Sequence, residues 1–242
     1  MKVVAVVPIK MNNERLPGKN TKAFSDGKPL IKCILETLSN VPELDEIYVY
    51  CSNPQINKFF PNKKIKFLQR SESLDQSSTT LNEVLQSFAN DVQSDIYVLA
   101  HATAPFVKKE SFSKAINMVK SGDYDSAFAV MPLREFLWKD GIPFNYDLFS
   151  IPRTQDLETI FAETCGMYVY TSDLIKKENR RIGHSSYMVE LSKIEACDIN
   201  DSEDFEIANA IYMELINRES SLPQPSKSST RTAGGGGVNA AF

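Results

Sequence analysis

The sequence has no run of apolar residues approaching the ~20 that an α-helix needs to cross a bilayer. The apolar run that follows Met1 and Lys2 is only as long as a strand, too short for the apolar region of a signal peptide and its cleavage site. We therefore expect a soluble, cytoplasmic protein with no membrane partner.

Positive charge is not in excess either. Lys and Arg number 27 against 31 Asp and Glu, so the net charge is −4 and the isoelectric point is about 5.4. Nucleic-acid backbones select basic domains, and we expect no nucleic-acid partner. A small anionic ligand can still bind wherever cations cluster locally.

Cysteine and histidine are scarce. The four cysteines form no C-x-x-C pair and are predicted to be reduced core residues of a cytosolic protein: Cys33, Cys51, Cys165 and Cys197. The sequence has two histidines, His101 and His184, and no serine in a nucleophile-elbow motif. This composition disfavours Ser-His-Asp hydrolysis.

Short apolar runs do occur, and they alternate with helical patterns. Strands are predicted at residues 3–7, 47–51, 65–68, 96–100, 127–131, 164–170 and 188–191, and helices at 30–38, 81–88, 112–119 and after Asp201. In a chain long enough for one large domain, this alternation predicts βαβ units and an α/β fold. We expect a mostly parallel sheet with helices on both faces, which is a three-layer αβα sandwich.

Two segments interrupt the alternation. Residues 132–161 are rich in Phe, Trp, Pro and Asp without a clear period, which predicts an excursion from the sheet. Residues 219–242 are rich in Ser, Pro and Gly and cannot bury enough apolar surface to order themselves. We predict a single domain over residues 1–218 and a disordered tail, whose four consecutive glycines fit either a natural linker or an expression scar.

Residues 8–20, PIKMNNERLPGKN, carry the most distinctive chemistry. The preceding apolar run, 3–7, lacks polar alternation and therefore suits a strand buried on both faces. Ligands in open α/β sheets bind beyond the carboxyl ends of such strands. With Lys10, Arg15 and Lys19 around a Pro-Gly pair, the loop offers a cationic surface suited to a polyphosphate. A solvated basic loop is the alternative interpretation.

The spacing P-x-[RK]-x4-R-x-P-x-K-N in this loop resembles the nucleotide loop of the CMP-sugar-acid synthetases, the cytidylyltransferases that activate sialic acids and Kdo. RLPGK is similar to the Kdo branch, and the Lys19-Asn20 pair to the acylneuraminate branch. The resemblance implies that Lys19 and Arg15 are catalytic and that Pro8, Lys10 and Asn20 bind the nucleotide.

The resemblance runs from residue 2 to about residue 218. It implies a Rossmann-like fold of the nucleotide-diphospho-sugar transferase type. It also implies that residues 132–161 form an arm that packs on a second subunit, and hence a homodimer.

Two further stretches carry the resemblance. Arg70, with the serines and threonines up to Thr80, is similar to the family's R-P-x-x-L-x-x-D segment, which implies that Arg70 and Thr80 bind the nucleotide. The alternative for Thr80 is a cap for the helix that begins at Leu81. Residues 100–106 are similar to the family's L-Q-P-T-S-P-L turn, which implies that His101 and Thr103 bind the substrate, with His101 in place of a glutamine.

Residues 153–157, RTQDL, are similar to the acylneuraminate R-x-Q-D-L motif. The likeness implies that Arg153 and Gln155 bind the sugar acid, since a guanidinium group matches a carboxylate bidentately. An exposed polar loop is the alternative. Cys165 stands where the family has an asparagine.

Residues 198–205, DINDSEDF, are similar to the family's D-x-D strand end and the E-D-[LF] helix start that follows it. The likeness implies a Mg²⁺ ion held by Asp198 and, through its carbonyl oxygen, by Asn200, which replaces the second aspartate. Alternatives are that Asp201 substitutes or that activity is lost. Independently of any metal, Asp198 also suits the positive end of the following helix.

The resemblance as a whole implies transfer of a cytidylyl group from CTP to a 2-keto sugar acid of the sialic-acid type, with release of pyrophosphate. One alternative is a cytidylyltransferase for Kdo or a phosphonate. The other is a catalytically impaired homologue that binds a nucleotide, which the replacements at Lys10, His101 and Asn200 favour.

Overall fold

The computed structural model describes residues 1–12 and 16–221. The predicted catalytic Arg15 and most of the predicted tail, residues 222–242, lie outside the described residues. Within the described ranges, no helix is both long and apolar enough to cross a membrane.

A seven-stranded sheet forms the centre of the molecule. Its strands, in chain order, are β1 (Val3–Ile9), β2 (Glu46–Cys51), β3 (Ile65–Gln69), β4 (Ile96–Ala100), β5 (Ser126–Leu133), β8 (Ile160–Thr171) and β9 (Ser186–Glu190). Their order across the sheet is β3-β2-β1-β4-β8-β5-β9. All neighbours pair in parallel except β8, which runs antiparallel to both β4 and β5.

Helices cover both faces of the sheet: α1 (Leu30–Ser39), α2 (Leu81–Asp91), α3 (Lys109–Lys120), α4 (Ser172–Glu178) and α5 (Ser202–Ser221). Every residue from Val3 to Val7 is fully buried. Alternate β1 residues belong to two different core clusters, one with α1 and α3 and the other with α2 and α4. The predicted three-layer αβα sandwich and the two-sided burial of the first strand are therefore confirmed.

Helix α5 closes a third core cluster, in which Phe205, Ala208 and Tyr212 pack against Phe24 and Leu30. Its start is capped by Asp201, whose Oδ1 accepts a hydrogen bond from the backbone N–H of Asp204 at 3.0 Å. A capped start directly after Asn200 fixes the helix to the segment at Asp198. This segment lies in the loop between β9 and α5, and not at a strand end as the resemblance implied.

The excursion predicted at residues 132–161 joins the sheet at both of its ends. Pro132 pairs with Phe161, and Leu133 with Ile160, in the β5–β8 ladder. Between them lies a short hairpin of β6 (Trp138–Lys139) and β7 (Ile142–Pro143). The hairpin region leaves many large apolar side chains exposed, among them Phe136, Trp138, Ile142, Phe144, Leu148, Phe149 and Ile151.

All four cysteines are free, and Cys33 and Cys51 are buried as predicted. The prediction was wrong for Cys165, which is exposed. It lies in the first half of β8, where exposed and more buried residues alternate, as in a strand with one face uncovered.

Candidate nucleotide and acceptor site

The loop after β1 folds back on the end of its own strand. Gly18 has φ 67°, a left-handed conformation that costs a residue with a side chain, and it precedes a 3-10 turn at Lys19–Thr21. Asn20 is buried, and its Nδ2 donates a hydrogen bond to the carbonyl oxygen of Lys10 at 2.9 Å. The turn therefore holds Lys19 beside the carboxyl end of β1.

Two hydrogen bonds join three segments of the predicted site. The Nζ of Lys19 donates to the carbonyl oxygen of Ile199 at 3.4 Å. The backbone N–H of Ile199 donates to the carbonyl oxygen of Thr103 at 2.9 Å. The loops after β1 and β4 thus meet the segment that carries Asp198 and Asn200, at the edge of the sheet where the sequence predicts a ligand.

The Asp198 carboxylate is only partly satisfied. Its Oδ2 accepts a hydrogen bond from Nδ2 of Asn200 at 3.0 Å, whereas its Oδ1 is buried without a hydrogen-bond partner. Buried polar atoms without partners are rare in folded proteins, so an additional donor or cation is expected here. Asp201, the alternative ligand, is engaged as the cap of α5.

These residues fit a Mg²⁺ ion. Mg²⁺ prefers oxygen ligands and usually takes one or two carboxylates while keeping several waters. Asp198 offers an unpartnered carboxylate oxygen and Asn200 an amide beside it. Among the described residues there is no group of three or more His, Cys, Asp and Glu side chains that could hold a metal. The protein would therefore contribute few ligands, and the substrate phosphates the rest.

His101 follows β4 directly, and its Nε2 is buried without a partner. Burial lowers the pKa of the imidazole to about 4; the charge of Asp198 opposes this shift, and the charges of Arg181 and Lys19 add to it. His101 is therefore neutral at physiological pH. A neutral His101 can donate or accept a hydrogen bond with a substrate, as could the glutamine that the similar family has at this position. It is nevertheless a weak base.

Arg181 belongs to the same cluster and was missed in the sequence. Its charge affects the pKa of both His101 and Cys165, as do the charges of Lys19 and Asp198, which means that these side chains lie close together. The guanidinium group lies over the ring of Tyr168, 4.6 Å from the centroid. An Arg-Arg pair in a loop is typical of a solvated surface, and no motif marked it.

Arg70 and Thr80 have structural partners. Arg70 is 4% exposed, and its Nη2 donates to the carbonyl oxygen of Ile9 at 3.0 Å and pairs with Asp75. Thr80 caps α2 through a reciprocal pair of bonds with Glu83. The capping alternative for Thr80 is confirmed, and nucleotide contacts by Arg70 and Thr80 stay predictions.

Arg153 and Gln155 are exposed and lie on the arm rather than in the cluster. The Nε and Nη2 of Arg153 donate to the carboxylate of Asp156 at 2.6 and 3.1 Å. Among the described residues, no hydrogen bond joins either side chain to the segments at Lys19, Thr103 and Asp198. Their binding of substrate stays a prediction. It requires that a movement of the arm, a ligand or a second chain brings Arg153 and Gln155 close to the segments at Lys19, Thr103 and Asp198.

A cavity of about 600 Å³ lies elsewhere, between α1, α5 and the loop after β4. Its walls include Cys33, Phe106 and Tyr212 and none of the described residues predicted for the site. The cluster at the strand ends, not this cavity, holds the chemistry that the sequence predicts.

A family model described as cytidylyltransferase matches residues 4–214. The chain belongs to the cytidylyltransferase family. This confirms the resemblance that the loop after β1 indicates.

Among curated relatives, the N-acylneuraminate cytidylyltransferase of Oncorhynchus mykiss is 24% identical over 185 residues, which are 72% of this chain and 42% of the relative. A pseudaminic acid cytidylyltransferase of Campylobacter jejuni is 25% identical over 236 residues, covering 92% of this chain and 100% of the relative.

A solved structure of a CMP:2-keto-3-deoxy-manno-octonic acid synthetase complexed with CTP shares the fold of this cytidylyltransferase. The TM-score is 0.66 at 15% identity, over 89% of this chain and 100% of that one. The first three curated relatives are longer, and this chain spans between 42% and 50% of their length.

Proposed function

We propose that the protein transfers the cytidylyl group of CTP to a 2-keto sugar acid of the sialic-acid type and releases pyrophosphate. The observation that carries this proposal is the hydrogen bond from Lys19, in the loop that resembles a nucleotide loop, to Ile199, beside Asp198. Membership of the cytidylyltransferase family supports the nucleotide, and the acids in the relatives' names support the acceptor.

In the proposed reaction, the anomeric hydroxyl oxygen of the acid attacks the α-phosphorus of CTP. The bond from that phosphorus to the oxygen bridging to the β-phosphate breaks, pyrophosphate leaves, and the proton of the attacking hydroxyl passes to water. Such a displacement requires no protein nucleophile. Lys19, together with Arg15, would neutralise the triphosphate and the leaving group, while Pro8, Lys10 and Asn20 would hold the nucleotide. Positioning and preorganised charge would supply most of the rate enhancement.

Asp198 and the carbonyl oxygen of Asn200 would hold Mg²⁺, which when bound supplies positive charge to phosphate oxygens. The chain's own contribution at this point is geometric. The cap of α5 and the bond from Ile199 to Thr103 fix the backbone on which Asp198 lies.

The acceptor would lie over the carboxyl end of β4. His101 and Thr103 follow that strand, and Arg153 and Gln155 would reach it from the arm. The exposed aromatic side chains of the arm support a homodimer, since large exposed apolar patches commonly mark interfaces.

The test is pyrophosphate release from CTP with a panel of the acids that the relatives' names contain: an N-acylneuraminate, pseudaminic acid, N,N'-diacetyllegionaminic acid and 3-deoxy-manno-octulosonate. Release that depends on one acid supports the proposal and identifies the acceptor. Turnover with 3-deoxy-manno-octulosonate alone, or with a phosphonate added to the panel, would favour the alternative cytidylyltransferases.

An impaired homologue that binds CTP without turnover is the second candidate. It is favoured by one observation, the single carboxylate at the candidate metal site, where Asn200 donates to Asp198 in place of a second aspartate. CTP binding measured by calorimetry, without pyrophosphate release for any acid, would establish it.

A further inference from the structure

The start of the loop between α4 and β9 is anchored by a side chain of α2, Asn82. Asn179 ends α4 in a left-handed conformation, and its carbonyl oxygen accepts a bond from Nδ2 of Asn82 at 2.8 Å. The Oδ1 of the same Asn82 accepts a bond from Nη1 of Arg181 at 2.9 Å. One amide on α2 thus fixes both the start of the loop and its arginine.

The far end of the loop is anchored as firmly. The Asp125 carboxylate accepts bonds from the backbone N–H groups of His184 and Ser185 at 2.9 and 3.1 Å. A Cβ atom at Gly183 would overlap that carboxylate, so a side chain at this position would displace the Asp125 anchor. The backbone is therefore defined on both sides of Arg181.

One nitrogen of the Arg181 guanidinium group has no hydrogen-bond partner. Nη1 is engaged by Asn82, and Nε is buried without a partner. In the part of the chain that the structure describes, no carboxylate pairs with Arg181. The nearby Glu163 instead accepts a hydrogen bond at its Oε1 from the hydroxyl group of Tyr168 at 2.6 Å. The Nε–Nη2 edge of arginine is one that binds a carboxylate through two parallel hydrogen bonds.

The position of Arg181 favours the acceptor over the triphosphate. Arg181 stacks on Tyr168 of β8, which pairs with Leu99 of β4. Strand β4 lies between β8 and β1, and the cationic loop with Lys19 follows β1. Arg181 therefore approaches His101 from the side away from that loop.

We infer that Arg181 binds the carboxylate of the sugar-acid acceptor through its Nε–Nη2 edge, with Asn82 as a positioning residue. The inference rests on the proposed function and names the acceptor group that this part of the site recognises. Burying a donor without a partner is costly, and a carboxylate oxygen would satisfy Nε. Stacking on Tyr168 would keep the guanidinium plane fixed before the acceptor arrives.

The experiment uses the full chain loaded with CTP and treated with EDTA, so that binding is measured without turnover. Each acid of the panel above and its methyl ester are titrated by calorimetry into the parent protein, Arg181→Gln and Arg181→Lys. Arg180→Gln is the matched control, because Arg180 lies one residue away and bonds to exposed His184 and Glu178. Thermal melts report whether each variant folds.

For the acid that the parent binds most tightly, Arg181→Gln should weaken binding roughly 10- to 100-fold, the cost of a lost charge-assisted pair. The methyl ester should bind the parent and Arg181→Gln equally weakly. Arg181→Lys should lie between them, because it keeps the charge and loses the fork. Arg180→Gln and the affinity for CTP should be unchanged.

The inference is overturned if Arg181→Gln or, should that variant not fold, Arg181→Lys binds the acid like the parent. It is also overturned if the ester binds the parent like the acid, if only CTP binding weakens, or if the parent binds none of the acids.

Pyrophosphate release is measured in a separate experiment. If Arg181→Gln releases pyrophosphate with a normal KM for the acid, the proposed function stands and the inference about Arg181 fails. If the acid binds in a way that depends on Arg181 but no pyrophosphate is released, the inference stands and the proposed function fails.

Discussion

Lys19 and Ile199 are 180 residues apart and are joined by a hydrogen bond from the Nζ of Lys19 to the carbonyl oxygen of Ile199 at 3.4 Å. The bond links the loop after β1 to the segment that carries Asp198. A cation at this point would meet phosphate oxygens on one side and the candidate metal ligand on the other. The relationship gives Lys19 a specific position, unlike a lysine on a solvated loop.

Replacing Lys19 with alanine should therefore lower kcat by roughly 100- to 1000-fold while leaving the fold intact, by analogy with loss of one preorganised donor. Steady-state kinetics with saturating CTP measures the effect. Lys22→Ala is the control from the same turn, since Lys22 lies over the ring of Phe205 instead. A near-normal rate for Lys19→Ala with a normal melt would return the loop to the solvated interpretation.

The stability of the protein should fall on acidification because of His101. The pKa of His101 is about 4 in the folded protein, below its ordinary value of 6.5, chiefly because of burial. The unfolded chain therefore binds more protons between these values, and stability is lost as the pH falls through that window. Between pH 7.5 and pH 5 this loss is about 2 kcal/mol.

Urea unfolding at the two pH values, compared between the parent and His101→Gln, isolates that loss. Between pH 7.5 and pH 5, the free energy of unfolding of His101→Gln should fall by about 2 kcal/mol less than that of the parent. His184→Gln is the control for replacing an exposed histidine with glutamine. Equal losses for the parent and His101→Gln would mean that His101 is not held neutral by burial.

The Asn200→Asp variant tests the candidate metal site. A second carboxylate beside Asp198 should lower the half-saturating Mg²⁺ concentration, because hard cations prefer carboxylate to amide oxygen. Without metal the variant should be less stable near neutral pH, since the bond from Asn200 to Asp198 is replaced by repulsion.

Asn200→Ala is the matched control for that titration, because it removes the amide oxygen without adding charge. If Asn200 is a ligand, this variant should need more Mg²⁺ than the parent. Identical half-saturation for all three proteins would remove position 200 from the metal site.

The arm between β5 and β8 should mediate a homodimer. Trp138 and Phe144 are more than half exposed, at 56% and 58%, and Phe136 at 38%, which favours burial against a partner. Light scattering at micromolar concentration should give a dimer for the parent and a monomer for Trp138→Ser/Phe144→Ser. Ile207→Ser, at a similarly exposed position on α5, is the control and should remain dimeric. A monomeric parent would refute the prediction.

The sequence predicted the fold well where burial alone decides the structure. Residues 3–7 lack polar alternation, and they form a strand buried on both faces. The direction of β8 was not predicted, since an apolar pattern is the same in either direction and pairing depends on its neighbours in space. Helix α4 was missed because seven residues, Ser172–Glu178, are too few to show a helical period.

The candidate site was partly predictable for a similar reason. Lys19, Asn20 and Thr103 lie in motifs that follow strands, Asp198 lies in a motif that precedes α5, and the backbone brings these segments together. Arg181 has no motif, and its place beside His101 depends on a loop anchored by residues distant in the chain. Tertiary contacts of this kind cannot be read from local spacing.

The most direct test of the account is ³¹P NMR of the protein with CTP, Mg²⁺ and the acid panel. The account predicts that the CTP resonances decline while pyrophosphate and one new phosphodiester resonance appear in equal amounts, with one acid and with CTP in clear preference to ATP or GTP. Base discrimination of that kind is expected where a wrong base leaves buried polar groups unpaired. Equal turnover of ATP, or pyrophosphate without a phosphodiester, would contradict cytidylyl transfer to a sugar acid.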